Sequence, residues 1–452
     1  MNSKWKKYGI LFGLMAALLL MGSMPSQAAI QGINGPNFTL TAKPDMISTA
    51  EGGSILIWGF ANGTGMAQYP APTLIVNQGD TVTVSLTNQL FVLDPLTWFY
   101  VPGSNVSIVF PGQTGVTATM VIGTGFNGVL AKEAKYGETV RYTFTASQPG
   151  TYTYHSGTNP DLQVEMGLAG VLIVRPVGYN AMDPTTYKAY NHTDSKYNRE
   201  FLFFLSEMDP RIHEAVEFGE PVDTTIFWPV YWFINGRTGP DTMSIANAFW
   251  LPTQPYNCMP SFHPGEKVLL RIVGGGRDPH PYHTHGNHVR VIARDGRLLQ
   301  SAPGAGADLS RMEFTVSSVP GQTVDAIFQW TGEKMGWDIY GDPNDPQYSH
   351  SCTPGPDGFD PVSKEWCADH GKPFPVIPPD KLALTPGGHY SGSPFLGTGA
   401  SLPPGEGGLN PNAGFAFMWH SHNENEIVNN NIFPGGMLTM VIVEPPSVEI
   451  ME

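Results

Sequence analysis

The side chains in this sequence that are best suited to chemistry are histidines in two short clusters. His280, His283 and His285 lie within six residues of one another, and a single residue separates His420 from His422. Side chains two residues apart on a β-strand point to the same side, so each His-x-His pair can direct two imidazoles at one ion. Neutral imidazole is the commonest metal ligand among side chains. The spacing therefore predicts a metal site built from histidines on two strands.

His155 stands alone, but its surroundings match those of the second cluster. An aromatic residue, His and Ser occur in this order at residues 154–156, and a glycine and an apolar strand at 171–176 follow them. The same three residue types occur in the same order at residues 419–421, and a glycine and an apolar strand at 440–445 follow them. A single histidine is more often packed or exposed than a ligand, so His155 enters the predicted site through this repeat. Six scattered histidines are predicted to have no metal role: His192, His213, His263, His350, His370 and His389.

The repeat extends to whole strands and predicts an all-β fold. A turn followed by an alternating apolar and polar strand occurs at residues 79–86 and again at 265–272. Features recurring in the same order imply two copies of one β domain, and strands broken by Gly, Pro and Asn are typical of Greek-key β-sandwiches. The predicted organisation is a first domain at 29–177, a linker at 178–199, and a second domain at 200–452 with a long Pro/Gly-rich insertion at about 338–413.

The N-terminus and the composition restrict where the protein acts and what it binds. Residues 1–28 have a basic start, an apolar run and a small-residue cleavage site, which predicts a signal peptide, a periplasmic or extracellular protein and no membrane span after cleavage. The 39 Asp and Glu outnumber the 24 Lys and Arg, giving a formal charge of −15, so nucleic acid is excluded as a partner. Cys352 and Cys367 are near enough in sequence to pair, which would leave Cys258 alone.

Four segments together resemble the multicopper oxidase family. They are residues 72–76, Gly79 with Asp80, the His280–His285 motif and the segment beginning at Trp419. The resemblance implies cupredoxin-like domains, a blue copper held by Cys, two His and often Met, and a three-copper cluster that reduces dioxygen. In the family, four His-x-His motifs supply the eight histidines of that cluster.

The sequence departs from the family pattern at several positions. No histidine occurs at residues 107–112, where the first motif is expected, and Gly157 stands where the second motif has its second histidine. His280 matches a blue-copper ligand, but Ser421 replaces the Cys and Glu426 replaces the second His. Because a blue copper needs a thiolate, the resemblance implies a member without this centre.

The resemblance leaves five cluster ligands and a smaller metal site. We expect one or two coppers rather than four, the second one requiring a carboxylate from Glu424 or Glu426. Zinc would compete by geometry, and iron or manganese would become plausible if carboxylates bind the metal. The same two glutamates are candidates for supplying protons, although the polar run from residue 423 can equally be a solvated loop. The expected ligands are His155, His283, His285, His420 and His422, with His280 as a vestigial or supporting residue.

These residues are compatible with three functions. The first is a divergent copper oxidoreductase acting on a small molecule or a metal ion, with dioxygen or another small molecule as the acceptor. The second is a copper carrier or storage protein without turnover, and the third is a structural exported β protein without metal. Two-domain relatives often place such sites between protomers, and the sequence leaves open whether this site closes within one chain or between the subunits of a homo-oligomer.

Overall fold

The computed structural model describes residues 30–341, 349–373, 393–395 and 414–450. It confirms the predicted all-β fold. Along residues 81–88, for example, alternate side chains are buried and partly exposed, as the alternating sequence requires. The predicted signal peptide lies outside the described residues, as do parts of the predicted insertion.

The first half of the chain contains fourteen of the described strands. These are β1 (Ile33–Asn34), β2 (Asn37–Ser48), β3 (Ser54–Asn62), β4 (Ala67–Gln68), β5 (Leu74–Asn77), β6 (Thr81–Asn88), β7 (Phe91–Leu93), β8 (Tyr100–Pro102), β9 (Thr117–Ile122), β10 (Phe126–Asn127), β11 (Lys132–Glu133), β12 (Thr139–Thr145), β13 (Gly150–His155) and β14 (Ala169–Arg175). One sheet has the order β4-β3-β2-β6-β12-β9 and another the order β1-β5-β14-β13, while β7-β8 and β10-β11 form separate pairs. Buried side chains of both larger sheets share one core.

The second half repeats this arrangement of packed sheets. Its described strands are β15 (Arg199–Met208), β16 (Tyr231–Ile234), β17 (Ser261–Phe262), β18 (Lys267–Gly274), β19 (His280–Thr284), β20 (Val289–Arg294), β21 (Arg297–Leu298), β22 (Arg311–Glu313), β23 (Thr315–Ser318), β24 (Thr323–Gln329), β25 (Ser393–Phe395), β26 (Gly414–Ser421) and β27 (Leu438–Val443). One sheet has the order β16-β15-β18-β24-β20-β21, with β22 beside β20. The other has the order β17-β27-β26-β19-β23, with β25 beside β26.

Helices are few and short in the described part of the chain. The α-helices are α1 (Pro160–Gln163) and α2 (Pro210–Glu217). Helix α2 begins where proline suits the first turn and where Asp209 accepts a hydrogen bond from the N–H of Arg211. Single 3-10 turns occur at Pro184–Thr186, Thr193–Ser195, Asp241–Met243, Cys367–Asp369 and Glu424–Glu426.

The two halves share a buried interface that is partly apolar and partly ionic. Ile57 and Val171 of the first half pack in one cluster with Phe204 and Phe233 of the second. Beside it, the Glu200 carboxylate on β15 accepts hydrogen bonds from Arg175 on β14 and Arg271 on β18, at 2.8 and 2.9 Å. These buried ion pairs link one strand of the first half to two strands of the second.

Two further observations concern the predicted cysteine pairing and membrane spans. Cys352 and Cys367 form a disulfide, with their Cα atoms 5.5 Å apart, which confirms the predicted pair. Cys258 is free and buried. No helix among the described residues is long and apolar enough to cross a bilayer.

Candidate metal centre

Two neighbouring antiparallel strands bring the histidine clusters together. β19 lies between β26 and β23, and its register with β26 places His283 directly opposite His420. His285 and His422 each follow the last residues of these strands, so the cluster forms where the pair of strands ends. The indole N–H of Trp419 donates to the His285 carbonyl at 3.0 Å and holds the end of β19 against β26. The sheet register thus joins residues that are more than a hundred positions apart in sequence.

The four imidazoles lie close together at this edge. The Nε2 atoms of His285 and His420 are 3.0 Å apart. The ring centre of His283 lies 4.7 Å from that of His285 and 5.1 Å from that of His422. Throughout the described part of the chain, however, no three of these ring nitrogens lie mutually within 4.8 Å. The cluster is therefore a close pair with two neighbouring imidazoles rather than a closed set of ligands.

Backbone carbonyls set the tautomer of two of these rings. His283 Nδ1–H donates to the Phe314 carbonyl at 2.7 Å, and His420 Nδ1–H donates to the Ser421 carbonyl at 2.6 Å. In the neutral ring the Nε2 atom then carries the free lone pair that a metal binds. Burial lowers the pKa of both His283 and His420, and their proximity to other histidines lowers it further. Both rings are consequently neutral and ready to act as ligands near pH 7.

The separation of the close pair suits an N–H···N hydrogen bond and also suits two ligands of one metal ion. Two nitrogens bound to one ion at 2.0–2.1 Å in tetrahedral geometry lie roughly 3.3 Å apart, close to the separation of His285 and His420. His422 is 46% exposed at its side chain, so the cluster opens to solvent on one side. Phe314 covers His283 with a ring distance of 4.1 Å. These residues fit one or two nitrogen-bound ions with a position open to a further ligand.

His155 lies elsewhere in the fold. It is the last residue of β13, forms a bridge with Val109, and lines a groove together with Phe204 and Arg277. None of the described contacts of His155 joins it to the other four predicted ligands. Its Nδ1 lies 2.9 Å from the Ser156 carbonyl, the same local bond that His420 makes with Ser421, and burial lowers its pKa. The repeat is thus preserved in local geometry, although His155 and the cluster occupy different places in one chain.

The two candidate glutamates lie beside different histidines in the structure. The Glu424 side chain is 81% exposed, and its Oε1 lies 3.9 Å from His422 Nδ1. Glu426 is buried and lies with its Oε2 2.9 Å from Nδ1 of His280, while its Oε1 accepts a hydrogen bond from Asn423. Glu424 therefore reaches the histidine cluster, whereas Glu426 contacts His280.

His280 is held between two carboxylates at the position that resembles a blue-copper site. Its Nδ1 donates to Glu426 at 2.9 Å and its Nε2 donates to Glu207 on β15 at 2.8 Å. Burial alone would lower the pKa of His280, but the two carboxylates outweigh it and raise the pKa to about 9. Because both ring nitrogens carry protons, His280 has no lone pair for a metal. We refer to His280, Glu207 and Glu426 as the carboxylate clamp.

The other residues at this position do not fit a blue copper either. Ser421 is fully buried, and its hydroxyl accepts a hydrogen bond from the N–H of Asn423 at 3.2 Å. Cys258 does not replace the missing thiolate, since its Sγ donates to the Ile234 carbonyl and burial raises its pKa to about 12. Sequence reasoning missed Glu207, because no motif surrounds it and only the packing of β15 brings it to His280.

Comparison with known proteins points in the same direction as the motifs. Residues 61–178 match the family model described as "Multicopper oxidase". L-ascorbate oxidase of Cucurbita pepo var. melopepo is 35% identical over 244 residues, which cover 52% of this chain and 40% of the relative. "Iron transport multicopper oxidase fetC" of Epichloe festucae is 27% identical over 237 residues, covering 52% of this chain and 31% of the relative. Copper resistance protein A of Escherichia coli is 24% identical over 294 residues, which cover 58% of this chain and 42% of the relative.

The chain spans less than half the length of these three curated relatives. Among solved structures, one titled "Multicopper Oxidase mgLAC" aligns with a TM-score of 0.52 and 18% sequence identity, covering 92% of this chain and 88% of the other. That similarity supports the fold of two packed β-sandwiches and does not extend to activity.

Proposed function

This chain is a divergent member of the multicopper oxidase family, and from that membership we propose that it is an exported copper oxidoreductase with a small histidine site and no blue copper. The observation that carries the proposal is the pair of Nε2 atoms of His285 and His420, 3.0 Å apart at the edge of a buried sheet. Copper bound there would supply one-electron redox chemistry. Dioxygen as acceptor and a small molecule or metal ion as reductant are part of the proposal.

Backbone hydrogen bonds fix the imidazole rings that would hold the copper. His283 and His420 present Nε2 because their Nδ1–H groups are bonded to carbonyls. Nitrogen-rich sites suit both copper and zinc, so metal analysis has to identify which of the two the site binds. We assign proton delivery to Glu424, because its carboxylate reaches His422 and meets solvent. Glu426 is a weaker candidate, since it belongs to the carboxylate clamp.

A test of the copper site uses the close pair. We expect the protein loaded with copper and then dialysed against a weak chelator to retain one or two coppers per protomer. A His285→Ala/His420→Ala double variant should lose at least 90% of this copper, roughly the effect of a hundredfold weaker affinity. His192→Ala, which removes an imidazole paired with Asp194, should retain it. The measurement is metal content by mass spectrometry, with oxygen uptake in the presence of a phenolic or cuprous reductant.

The outcomes separate the three candidate functions. Copper retention with oxygen uptake that the double variant lacks supports the oxidoreductase. Copper retention without uptake favours a carrier or storage protein. If the unmodified protein retains no copper, the proposal is wrong and the structural alternative stands.

We further propose that a second copy of this chain completes the site with its His155. Leu130 lies beside Gly157, two residues after His155, and is 60% exposed; Val129 and Phe126, close to it in sequence, are 99% and 54% exposed. The histidine cluster is likewise flanked by Phe314, which is half exposed. Apolar surface of this extent commonly marks a protein–protein contact, and the cluster needs a further ligand.

Two substitutions test the shared site. His155→Ala should reduce retained copper at least tenfold without changing the oligomeric state, because it removes a ligand and no contact surface. Leu130→Glu should shift the protein to monomer and reduce copper equally. Val362→Glu, at an 88% exposed position elsewhere, is the matched control and should do neither. Light scattering with metal analysis measures both effects, and full copper retention by monomeric Leu130→Glu would contradict the proposal.

A further inference from the structure

The insertion of the second half contains a second cluster of metal-binding side chains. Asp338, His350, Glu365 and His370 each offer one ligand atom, and these four atoms all lie within 4.8 Å of one another. The two histidines are among those predicted from sequence to have no metal role, and the structure contradicts their isolation. Neither imidazole belongs to the histidine cluster or to the carboxylate clamp.

The distances within this cluster suit a single ion. His350 Nε2 lies 2.8 Å from Oε2 of Glu365, and His370 Nδ1 lies 2.8 Å from Oε1 of the same carboxylate. The same nitrogens lie 3.7 and 3.6 Å from the oxygens of Asp338. Ligand atoms 2.0–2.2 Å from a tetrahedral ion lie roughly 3.3–3.6 Å apart. Small side-chain movements would therefore place all four around one ion.

Backbone hydrogen bonds hold the Asp338 carboxylate in place. Its Oδ1 accepts from the N–H groups of Tyr340 and Gly341 at 3.0 and 3.1 Å, and its Oδ2 accepts from that of Gly371 at 2.8 Å. Asp338 and Glu365 are 91% and 97% buried at their side chains. In the described ranges, neither carboxylate pairs with a lysine or arginine. Among the described residues the ion-pair partners of these two carboxylates are the imidazoles of His350 and His370, and a divalent cation would balance the carboxylate charge.

The surrounding chain is built to fix this geometry. The disulfide joins Cys352, two residues after His350, to Cys367, two residues after Glu365. The ring of Tyr340 lies 6.4 Å from that of His350, and Tyr340 is 7% exposed with a hydroxyl that has no hydrogen-bond partner among the described residues. Trp337, next to Asp338, is buried in the core of the second half. The cluster thus connects an insertion segment to the core.

We propose that Asp338, His350, Glu365 and His370 bind one divalent transition-metal ion that fastens the insertion to the second half. Two imidazoles with two carboxylates supply four ligand atoms, which is the number that closes a tetrahedral zinc site, although structural zinc sites usually include thiolates. Zinc is therefore the probe. The role is distinct from that of the histidine cluster and stands whether or not copper binds there.

The test measures zinc in the full mature protein with its disulfide intact. After metal removal and titration with zinc, a His350→Ala/His370→Ala double variant should bind one zinc fewer per protomer than the unmodified protein. Asp338→Asn, which keeps the shape and removes the charge, should weaken zinc binding at this site by about 10- to 100-fold. The copper-site variant His285→Ala/His420→Ala is the matched control and should keep this zinc.

A second readout does not depend on how the variants fold. X-ray absorption of the unmodified protein carrying one zinc, with the copper site filled first, should show nitrogen and oxygen neighbours at about 2.0–2.1 Å, including two imidazoles. Zinc should also raise the thermal midpoint of the unmodified protein and of the copper-site variant. The proposal is overturned if the copper-filled protein binds no zinc, or if a folded His350→Ala/His370→Ala variant binds as much zinc as its parent.

Discussion

Replacing His280 with leucine is expected to lower the free energy of unfolding by about 3–5 kcal/mol, because it leaves two carboxylates buried without a cation. His280 is fully buried and lies within 2.9 Å of Glu426 and 2.8 Å of Glu207. Thermal denaturation at pH 7 measures the effect as a drop in midpoint. The matched control is His192→Leu, which breaks the partly exposed contact with Asp194 and should cost less than about 1 kcal/mol. Equal losses for the two variants would contradict the carboxylate clamp.

The carboxylate clamp also gives the unmodified protein a particular pH dependence. The folded state raises the pKa of His280 from its ordinary 6.5 to about 9, which corresponds to about 3 kcal/mol of stabilisation. A raised folded pKa means that this contribution is fully present below pH 6.5 and is lost as pH rises through about 9. Between pH 7 and pH 10 the thermal midpoint should fall more in the unmodified protein than in His280→Leu. A parallel fall in both proteins would exclude His280 as the titrating group.

The second large effect is expected at the interface between the two halves, where Glu200→Gln should also cost about 3–5 kcal/mol. Glu200 is fully buried at its side chain and pairs with Arg175 of the first half and Arg271 of the second. Although burial opposes its charged form, the two guanidinium groups lower the pKa of Glu200 below its ordinary value. The amide removes the negative charge and leaves two buried cations, with Asp325 the nearest remaining acid at 3.8 Å from Arg271.

Two comparisons distinguish this effect from a general loss of stability. Glu313→Gln removes the partner of Arg294 in a partly exposed ion pair and should cost less than about 1 kcal/mol. A double variant Arg175→Met/Glu200→Leu removes one charge of each sign, leaves Arg271 beside Asp325, and should recover most of the stability lost by Glu200→Gln, since apolar groups of similar size replace the ions. Thermal midpoints measure both. A double variant no more stable than Glu200→Gln would show that the ion pairs themselves, rather than the unpaired charge, carry the stability.

Features that depend on local order along the chain could be predicted from the sequence. Alternation over residues 79–86 and 265–272 indicated strands, because side chains on a strand alternate between its two faces. The spacing of His283 with His285 and of His420 with His422 indicated ligand pairs for the same reason. The short separation of Cys352 and Cys367 allowed the disulfide to be predicted. The resemblance to the multicopper oxidases, with Ser at residue 421 where the family has Cys, implied the loss of the blue-copper thiolate.

Which distant side chains meet depends on how the sheets pack in the folded protein. Glu207 reaches His280 because β15 packs near the start of β19, and no spacing in the sequence encodes that approach. His350 and His370 look isolated in the sequence, yet the folded insertion places both against Glu365. His155 was grouped with the other histidines by the repeat, but the arrangement of the two halves puts it in a separate groove. Local patterns specify strands and the side to which residues point, whereas the packing of whole sheets sets the distances between them, and metal sites and buried ion pairs depend on those distances.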